Sequence, residues 1–268
     1  MPRPLPILAV QASAVPGDPD ATLRKFERDL RRLHGAYPDV RLFVWGELYL
    51  SAEGSMTDIP DVEGKAERIA QPIPGPLTDR LCDLARRLGV WLVPGSFYER
   101  GEDGRIHNTL VAISPDGDIV ARYRKLFLWR PWERSSPGSE FVTFDIDGVG
   151  RIGLSICYDI WFPEVARNLV WLGAEVLIIP TATPTSDRDQ EVVMARAHAI
   201  ANQVWVVNVN HGGRPGPGRS VIVDPEGHVL QQAGDGEEYL SETLDLDAVT
   251  RVRKFGSVGL NRMWDVLD

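Results

Sequence analysis

Cys157 is the residue around which chemistry can be organised in this chain. It closes Arg151-Ile152-Gly153-Leu154-Ser155-Ile156-Cys157. There Ile152, Leu154 and Ile156 alternate with Gly153 and Ser155, as in a buried strand with one small-residue face. Just downstream, Pro163 and Glu164 suit the first turn of a helix, where proline fits the N1 position and a carboxylate complements the positive dipole end. Cys157 is therefore expected at a strand-to-helix turn, the edge at which parallel α/β sheets place their ligands. Turn N–H groups at such a place favour a thiolate. The competing reading is a small buried core residue, the common fate of a free cysteine. Cys82, beside the apolar stripe of a predicted helix, reads as packing.

A nucleophilic thiol needs a base. His34, His107, His198, His211 and His228 are scattered. No pair has ligand spacing, so no metal site is expected, and nothing selects one histidine as a partner for Cys157. Ser155 lacks the final glycine of a nucleophile elbow, because Cys157 occupies that place. A P-loop is missing, and Gly216-Pro217-Gly218 is too short for a dinucleotide fingerprint. Two other strand ends carry charge. Glu47 follows the apolar run Leu42-Phe43-Val44-Trp45, and Lys125 ends a predicted hairpin. Singly, each reads as a surface charge; the argument lies in their combination with Cys157.

The elements that must position these residues alternate along the chain. Ile7–Val10, Leu42–Trp45 and Val90–Val93 read as buried strands. Leu23, Phe26, Leu30 and Leu33 form a helical stripe with Asp20 as expected N-cap, and Leu77, Leu81, Leu84 and Leu88 form a second, stopped by Gly89. Asn108–Ile113 and Ile119–Tyr123 read as a hairpin around Ser114-Pro115-Asp116-Gly117-Asp118. A Pro-, Ser- and Gly-rich loop, 130–140, follows, holding Trp132 and Glu133 just after Trp129. Phe141–Phe144 pairs with Ile152–Ile156. Pro163–Leu172 is a helix ended by Gly173, Val176–Ile179 a strand closed by Pro180, Asp189–Asn202 a helix and Val204–Val209 a strand. His211–Arg219 is a Gly/Pro loop, and Ser220–Leu230 a second hairpin. The tail from Ala248 carries Val252, Phe255, Val258, Leu260, Met263 and Trp264, an apolar set that needs a surface to cover.

Composition narrows the class. The 268 residues are 43% hydrophobic and 25% charged, with a net charge of −9. That acidity argues against a nucleic-acid surface and gives no reason for an anionic membrane partner. Two cysteines make no disulfide framework, so an intracellular, cytoplasmic setting is expected. The N-terminus lacks a signal-peptide core, and no apolar run reaches membrane-spanning length. No composition shift divides the chain, so residues 1–268 are expected as a single α/β domain with sheet packed on sheet and helices outside.

Three segments together resemble the nitrilase superfamily, the carbon–nitrogen hydrolases, and specifically its amidase branches. They are Phe43-Val44-Trp45-Gly46-Glu47-Leu48, Asn108-Thr109-Leu110 through Pro115-Asp116-Gly117 to Tyr123-Arg124-Lys125, and Gly153 to Asp159 with Phe162-Pro163-Glu164 and Arg167. Arg196-Ala197, Ala199–Asn202, Gly218, Ser220 and Asp224-Pro225-Glu226-Gly227 extend the likeness over nearly the whole chain. It departs at Gly46, where the family commonly has proline. At Trp161, where many amidases carry arginine, it resembles the branch acting on N-carbamoyl amines. Tyr158-Asp159 resembles amidases more than true nitrilases.

The resemblance implies a four-layer α-β-β-α sandwich and a dimer or larger homo-oligomer, with the arm from about residue 248 to 268 packing on a partner subunit. It implies no cofactor. Cys157 would attack an amide carbonyl and form a thioester. Glu47 would move the proton, and Lys125 would stabilise the oxyanion with the Tyr158 N–H. Glu133 would orient Lys125 or substrate. Tyr49, Trp129, Trp132, Tyr158, Trp161 and Thr181 are expected to line the pocket of a small organic amide. An N-carbamoyl amine hydrolase, a nitrilase and a non-catalytic scaffold are the other readings.

Overall fold

The apolar runs become two sheets in a computed structural model, which describes residues 2–51, 64–213 and 217–267. Residues 214–216 of the Gly/Pro loop lie outside the described residues. The first sheet holds β1 (Pro4–Gln11), β2 (Leu42–Trp45), β3 (Trp91–Val93), β4 (Ser96–Arg100), β5 (Ile106–Ile113), β6 (Ile119–Arg124) and β13 (Glu238–Asp245). Its order is β13-β1-β2-β3-β5-β4, with β6 also paired to β5. The second holds β7 (Val142–Ile146), β8 (Gly150–Leu154), β9 (Val176–Pro180), β10 (Trp205–Val209), β11 (Val221–Val223) and β12 (Val229–Gln232), in the order β12-β11-β10-β9-β8-β7. Each sheet has a parallel centre, β1-β2-β3 in one and β8-β9-β10 in the other.

Strand alternation assigns each apolar residue to a layer. Leu42 and Val44 of β2 face the core between the sheets, joined there by Ile152, Leu154, Val176 and Ile178. Phe43 and Trp45 face outward, toward helices α1 (Pro19–Ala36) and α3 (Pro76–Leu88), with the short α2 (Lys65–Ile69) between these two in sequence. Leu177 and Ile179 of β9 likewise face α4 (Pro163–Trp171) and α5 (Arg188–Asn202). Strands apolar on both faces belong in a sheet covered on both sides, and the result is the four-layer α-β-β-α sandwich. The predicted stripe of α1 is buried at Leu23, Phe26, Leu30 and Leu33. Each such side chain is worth about 1.5–3 kcal/mol.

Some local expectations change. The N-cap of α1 is Asp18, whose carboxylate accepts from the Ala21 N–H; Asp20, the expected cap, lies inside the first turn beside the dipole. Short β4 and edge strand β13 were not foreseen. A five-residue 3-10 segment, Cys157–Trp161, separates β8 from α4. The tail divides: α6 (Leu246–Phe255) buries Leu246, Val249 and Val252 on the chain's own core. Beyond it Val258, Leu260 and Val266 stay exposed around the short α7 (Trp264–Leu267). Among the described residues no helix is long and apolar enough to cross a membrane.

Two glycines show how tightly the turn bearing Glu47 is held. Gly95 has φ +82°, and a Cβ there would overlap the carbonyl oxygen of Gly46. Gly89, the C-cap of α3, has φ +66° but open space around its Cβ position. Gly89→Ala is expected to cost about 1 kcal/mol of unfolding free energy from backbone strain alone. Gly95→Ala should cost at least about 3 kcal/mol, since strain and overlap add. Denaturant titration of both variants checks this, and equal losses would contradict it.

Candidate active site

Three strands deliver charge to one place from their carboxyl ends. Glu47 follows β2, Lys125 follows β6 and Cys157 follows β8. Glu47 is 4% exposed and Lys125 2%. The Lys125 ammonium sits 2.9 Å from Glu47 Oε1 and 2.8 Å from Glu133 Oε2. Asn108, on β5, donates its amide N–H groups to Glu47 Oε1 at 2.8 Å and Glu133 Oε1 at 3.0 Å. Glu133 also accepts from the Trp129 N–H at 3.1 Å and the Ser135 hydroxyl at 3.3 Å. The Lys125 backbone is fixed on both sides: its N–H donates to the Asn108 carbonyl, and its carbonyl accepts from the Gly138 N–H.

Electrostatics follows from this cage. Burial alone would lower the Lys125 ammonium, but Glu133, Glu47 and Cys157 around it hold it well above its ordinary value. Burial also pushes Glu133 up, and the Lys125 charge overcomes this and holds its carboxyl low. Both bonds to Glu47 fall on Oε1, so among the described residues Oε2 accepts from no protein donor. One carboxylate oxygen is anchored and the other is free to take a proton.

Cys157 lies at φ +46°, in the left-handed region that non-glycine residues seldom occupy. The turn around it is pinned by buried Asp159, whose carboxylate accepts from the Ile156 N–H at 2.8 Å, the Phe127 N–H at 2.9 Å and the Tyr123 hydroxyl at 2.6 Å. Burial pushes that carboxyl up to about 6 despite these donors. The Tyr158 N–H opens the 3-10 segment, where first-turn N–H groups have no partner inside the helix. The Cys157 sulfur is 3.7 Å from Thr183 Oγ1. Burial and Glu47 push its thiol well above the ordinary value, against the pull of Lys125. The resting nucleophile is therefore a thiol that needs a base at the moment of attack.

The structure brings Glu47, Lys125, Glu133 and Cys157 into one network and treats the expected pocket residues unevenly. Thr181 is buried, its carbonyl accepting from the Glu47 N–H at 3.2 Å. Tyr158 and Trp161 sit half-buried on the nucleophile's own turn. Trp129 is half-buried with its ring 6.1 Å from that of Trp132, which is 47% exposed. Tyr49 is buried, its ring beside Phe26 of α1 and 6.0 Å from that of His211 and its hydroxyl meeting Lys25. His211 meets the Glu47 carbonyl, and among the described residues no histidine is bonded to Cys157. Asn108 and Asp159 went unassigned, although both stand in segments carrying the family likeness.

Comparison with known proteins is specific. Residues 8–254 match the carbon–nitrogen hydrolase family model, and the chain belongs to that family. It is 36% identical over 254 residues to an (R)-stereoselective amidase of a Pseudomonas species, covering 91% of this chain and 86% of that protein. It is 34% identical over 211 residues to deaminated glutathione amidase of Bos taurus, covering 71% of this chain and 64% of the bovine protein, so it spans under two thirds of that relative. The structure superposes on Nit3 of Saccharomyces cerevisiae, a member of branch 10 of the nitrilase superfamily, with a TM-score of 0.84, 28% identity and 94% of each chain covered. The class is therefore that of an amidase-type hydrolase of C–N bonds.

Two expectations test the cage. Glu133→Gln should cost about 3–5 kcal/mol in denaturant titration, the usual penalty for unpairing a buried charge. The sign with pH follows: the Glu133 carboxyl is held low, so its contribution is full above about pH 4.5 and is lost as pH falls through the lower folded value. Maleimide labelling of Cys157, followed by peptide mass, should reach half-rate only above about pH 9, and later still in Lys125→Met. A plateau between about pH 6 and 8 would mean a preformed thiolate.

Proposed function

We propose that this chain hydrolyses small linear carboxamides to a carboxylic acid and ammonia or an amine through a thioester on Cys157. The observation that carries the reading is the cage in which one lysine is shared by Glu47 and Glu133 beside the half-buried thiol of Cys157. Glu47 takes the Cys157 proton as sulfur attacks the carbonyl carbon and the carbonyl π pair moves onto oxygen. Lys125 and the Tyr158 N–H stabilise that oxyanion. Its collapse expels the amine, which takes the proton from Glu47. Glu47 then deprotonates water, which attacks the thioester, and the departing sulfur recovers the proton. Glu133 holds Lys125 in place and touches no reacting atom.

Half-buried Trp129, Tyr158 and Trp161, close in sequence to Lys125 and Cys157, support a small organic amide as substrate. The amidase names of the relatives support carboxamides over nitriles. One observation favours an N-carbamoyl amine as second reading: the buried Trp161 indole N–H has no partner among the described residues, and a ureido carbonyl would accept from it. The exposed Val258, Leu260 and Val266 support association with a second copy, and two free cysteines support a reducing, cytoplasmic setting.

Intact-protein mass after brief incubation with pooled carboxamides, N-carbamoyl amines and nitriles tests the reading. An acyl adduct is expected on wild type, absent from Cys157→Ala, and longer-lived in Glu47→Gln because its water lacks a base. Turnover by Cys157→Ala at more than about a thousandth of the wild-type rate would sink it. Trp161→Phe should spare carboxamides and impair N-carbamoyl amines if the second reading holds.

A further inference from the structure

Thr183, Glu191 and Arg188 form a second polar chain at the nucleophile, and the hydrolytic sequence above uses none of them. All three are buried. Arg188 opens α5, and Glu191 lies in the same turn with Oε2 accepting from Arg188 Nη1 at 3.0 Å. Arg188 is fixed further by donating to the carbonyls of Gly218 at 3.2 Å and Arg219 at 2.7 Å. Thr183 Oγ1 stands 2.8 Å from Glu191 Oε1, 3.1 Å from Thr181 Oγ1 and 3.7 Å from Cys157 Sγ. Thr183 is itself held by Asn210, whose side-chain oxygen accepts the Thr183 N–H and whose amide donates to the Thr183 carbonyl, each at 3.0 Å.

Counting protons fixes the direction of the chain. An ionised carboxylate only accepts, and a hydroxyl has one proton to give. Thr183 gives its proton to Glu191, so its oxygen faces the other two neighbours with lone pairs. That makes it an acceptor toward the Cys157 S–H, with the Thr181 hydroxyl beside both as a donor to either.

We propose that the Arg188–Glu191 pair, acting through Thr183, is the positioning device of the nucleophile, holding the Cys157 thiol protonated and its sulfur in one orientation until Glu47 takes the proton. The inference rests on the reading of Cys157 as nucleophile. A buried ion pair returns little net stability over an apolar pair of the same size, which leaves positioning as the use this geometry supports. The charges facing Cys157 come from three elements: Glu47 after β2, Lys125 after β6, and Glu191 with Arg188 on α5. Beyond burial itself, Glu47 and Glu191 favour the thiol, while Lys125, Arg188 and the Thr181 hydroxyl favour the thiolate.

The test compares wild type with Glu191→Gln, Thr183→Val and Thr183→Ser. Two readouts are the pH profile of maleimide labelling at Cys157 and the split of kcat against KM on an amide that wild type turns over. A glutamine at 191 lacks the charge and can donate to Thr183, freeing the threonine proton to turn toward sulfur. Glu191→Gln and Thr183→Val should each shift half-labelling to lower pH by about one unit and lower kcat about tenfold with KM little changed. Thr183→Ser should restore both within about threefold. Thr183→Ala replaces Thr183→Val if the latter does not fold. Labelling profiles that coincide with wild type would overturn the inference even if turnover fell, because a merely structural loss leaves the thiol where it was. Retained turnover in Cys157→Ala would instead overturn the nucleophile reading, and this inference with it.

Discussion

A lysine ammonium that is 2% exposed must have its charge answered within the protein. Lys125 has two carboxylates, Glu47 and Glu133, at 2.9 and 2.8 Å, and Asn108 ties those carboxylates to each other. Much of the architecture serves that requirement. Glu47 and Asn108 come from adjacent regions of one sheet, Glu133 from the loop after it, and Lys125 from the end of β6. Because the cage is overdetermined, the ammonium stays charged without substrate, and no reorganisation is needed when an oxyanion forms beside it. Both bonds that Glu47 makes to this cage fall on Oε1, so among the described residues its Oε2 has no protein donor.

Cys157 is held differently. Its turn sits at φ +46°, and Asp159 answers for the strain with three accepted hydrogen bonds reaching from Ile156 to the Tyr123 hydroxyl in the other sheet. The two sheets are thus joined at the reacting centre by polar contacts as well as by the apolar core between them. A site made from strand ends of two packed sheets moves little unless the sheets part, which suits a reaction whose groups must be aligned twice, once for the amide and once for water.

What could be read from the chain was what depends on local pattern. Short apolar runs marked most strands of both parallel centres, and the stripes of α1 and α3 followed from period 3.6. Glu47, Lys125 and Cys157 stood out because each ends an apolar strand. Asn108 and Asp159 did not, since an uncharged or cap-like residue gains its role from partners far off in sequence; Asn108 and Glu47 are 61 residues apart. Short β4 and the edge strand β13 have too few residues or too mixed a pattern to show a period. The Asp18 cap was missed because Asp20 is an equally good capping residue by type, and only geometry chooses between them.

The central claim is that Lys125 and the turn at Tyr158 converge on the oxygen of an amide whose carbon faces Cys157. A crystal structure of Cys157→Ala with a small aliphatic carboxamide bound tests it most directly. The account predicts the carbonyl oxygen within hydrogen-bond distance of both the Lys125 ammonium and the Tyr158 N–H, with the amide nitrogen toward Glu47. An amide bound with its oxygen away from Lys125, or outside the strand ends altogether, would contradict it.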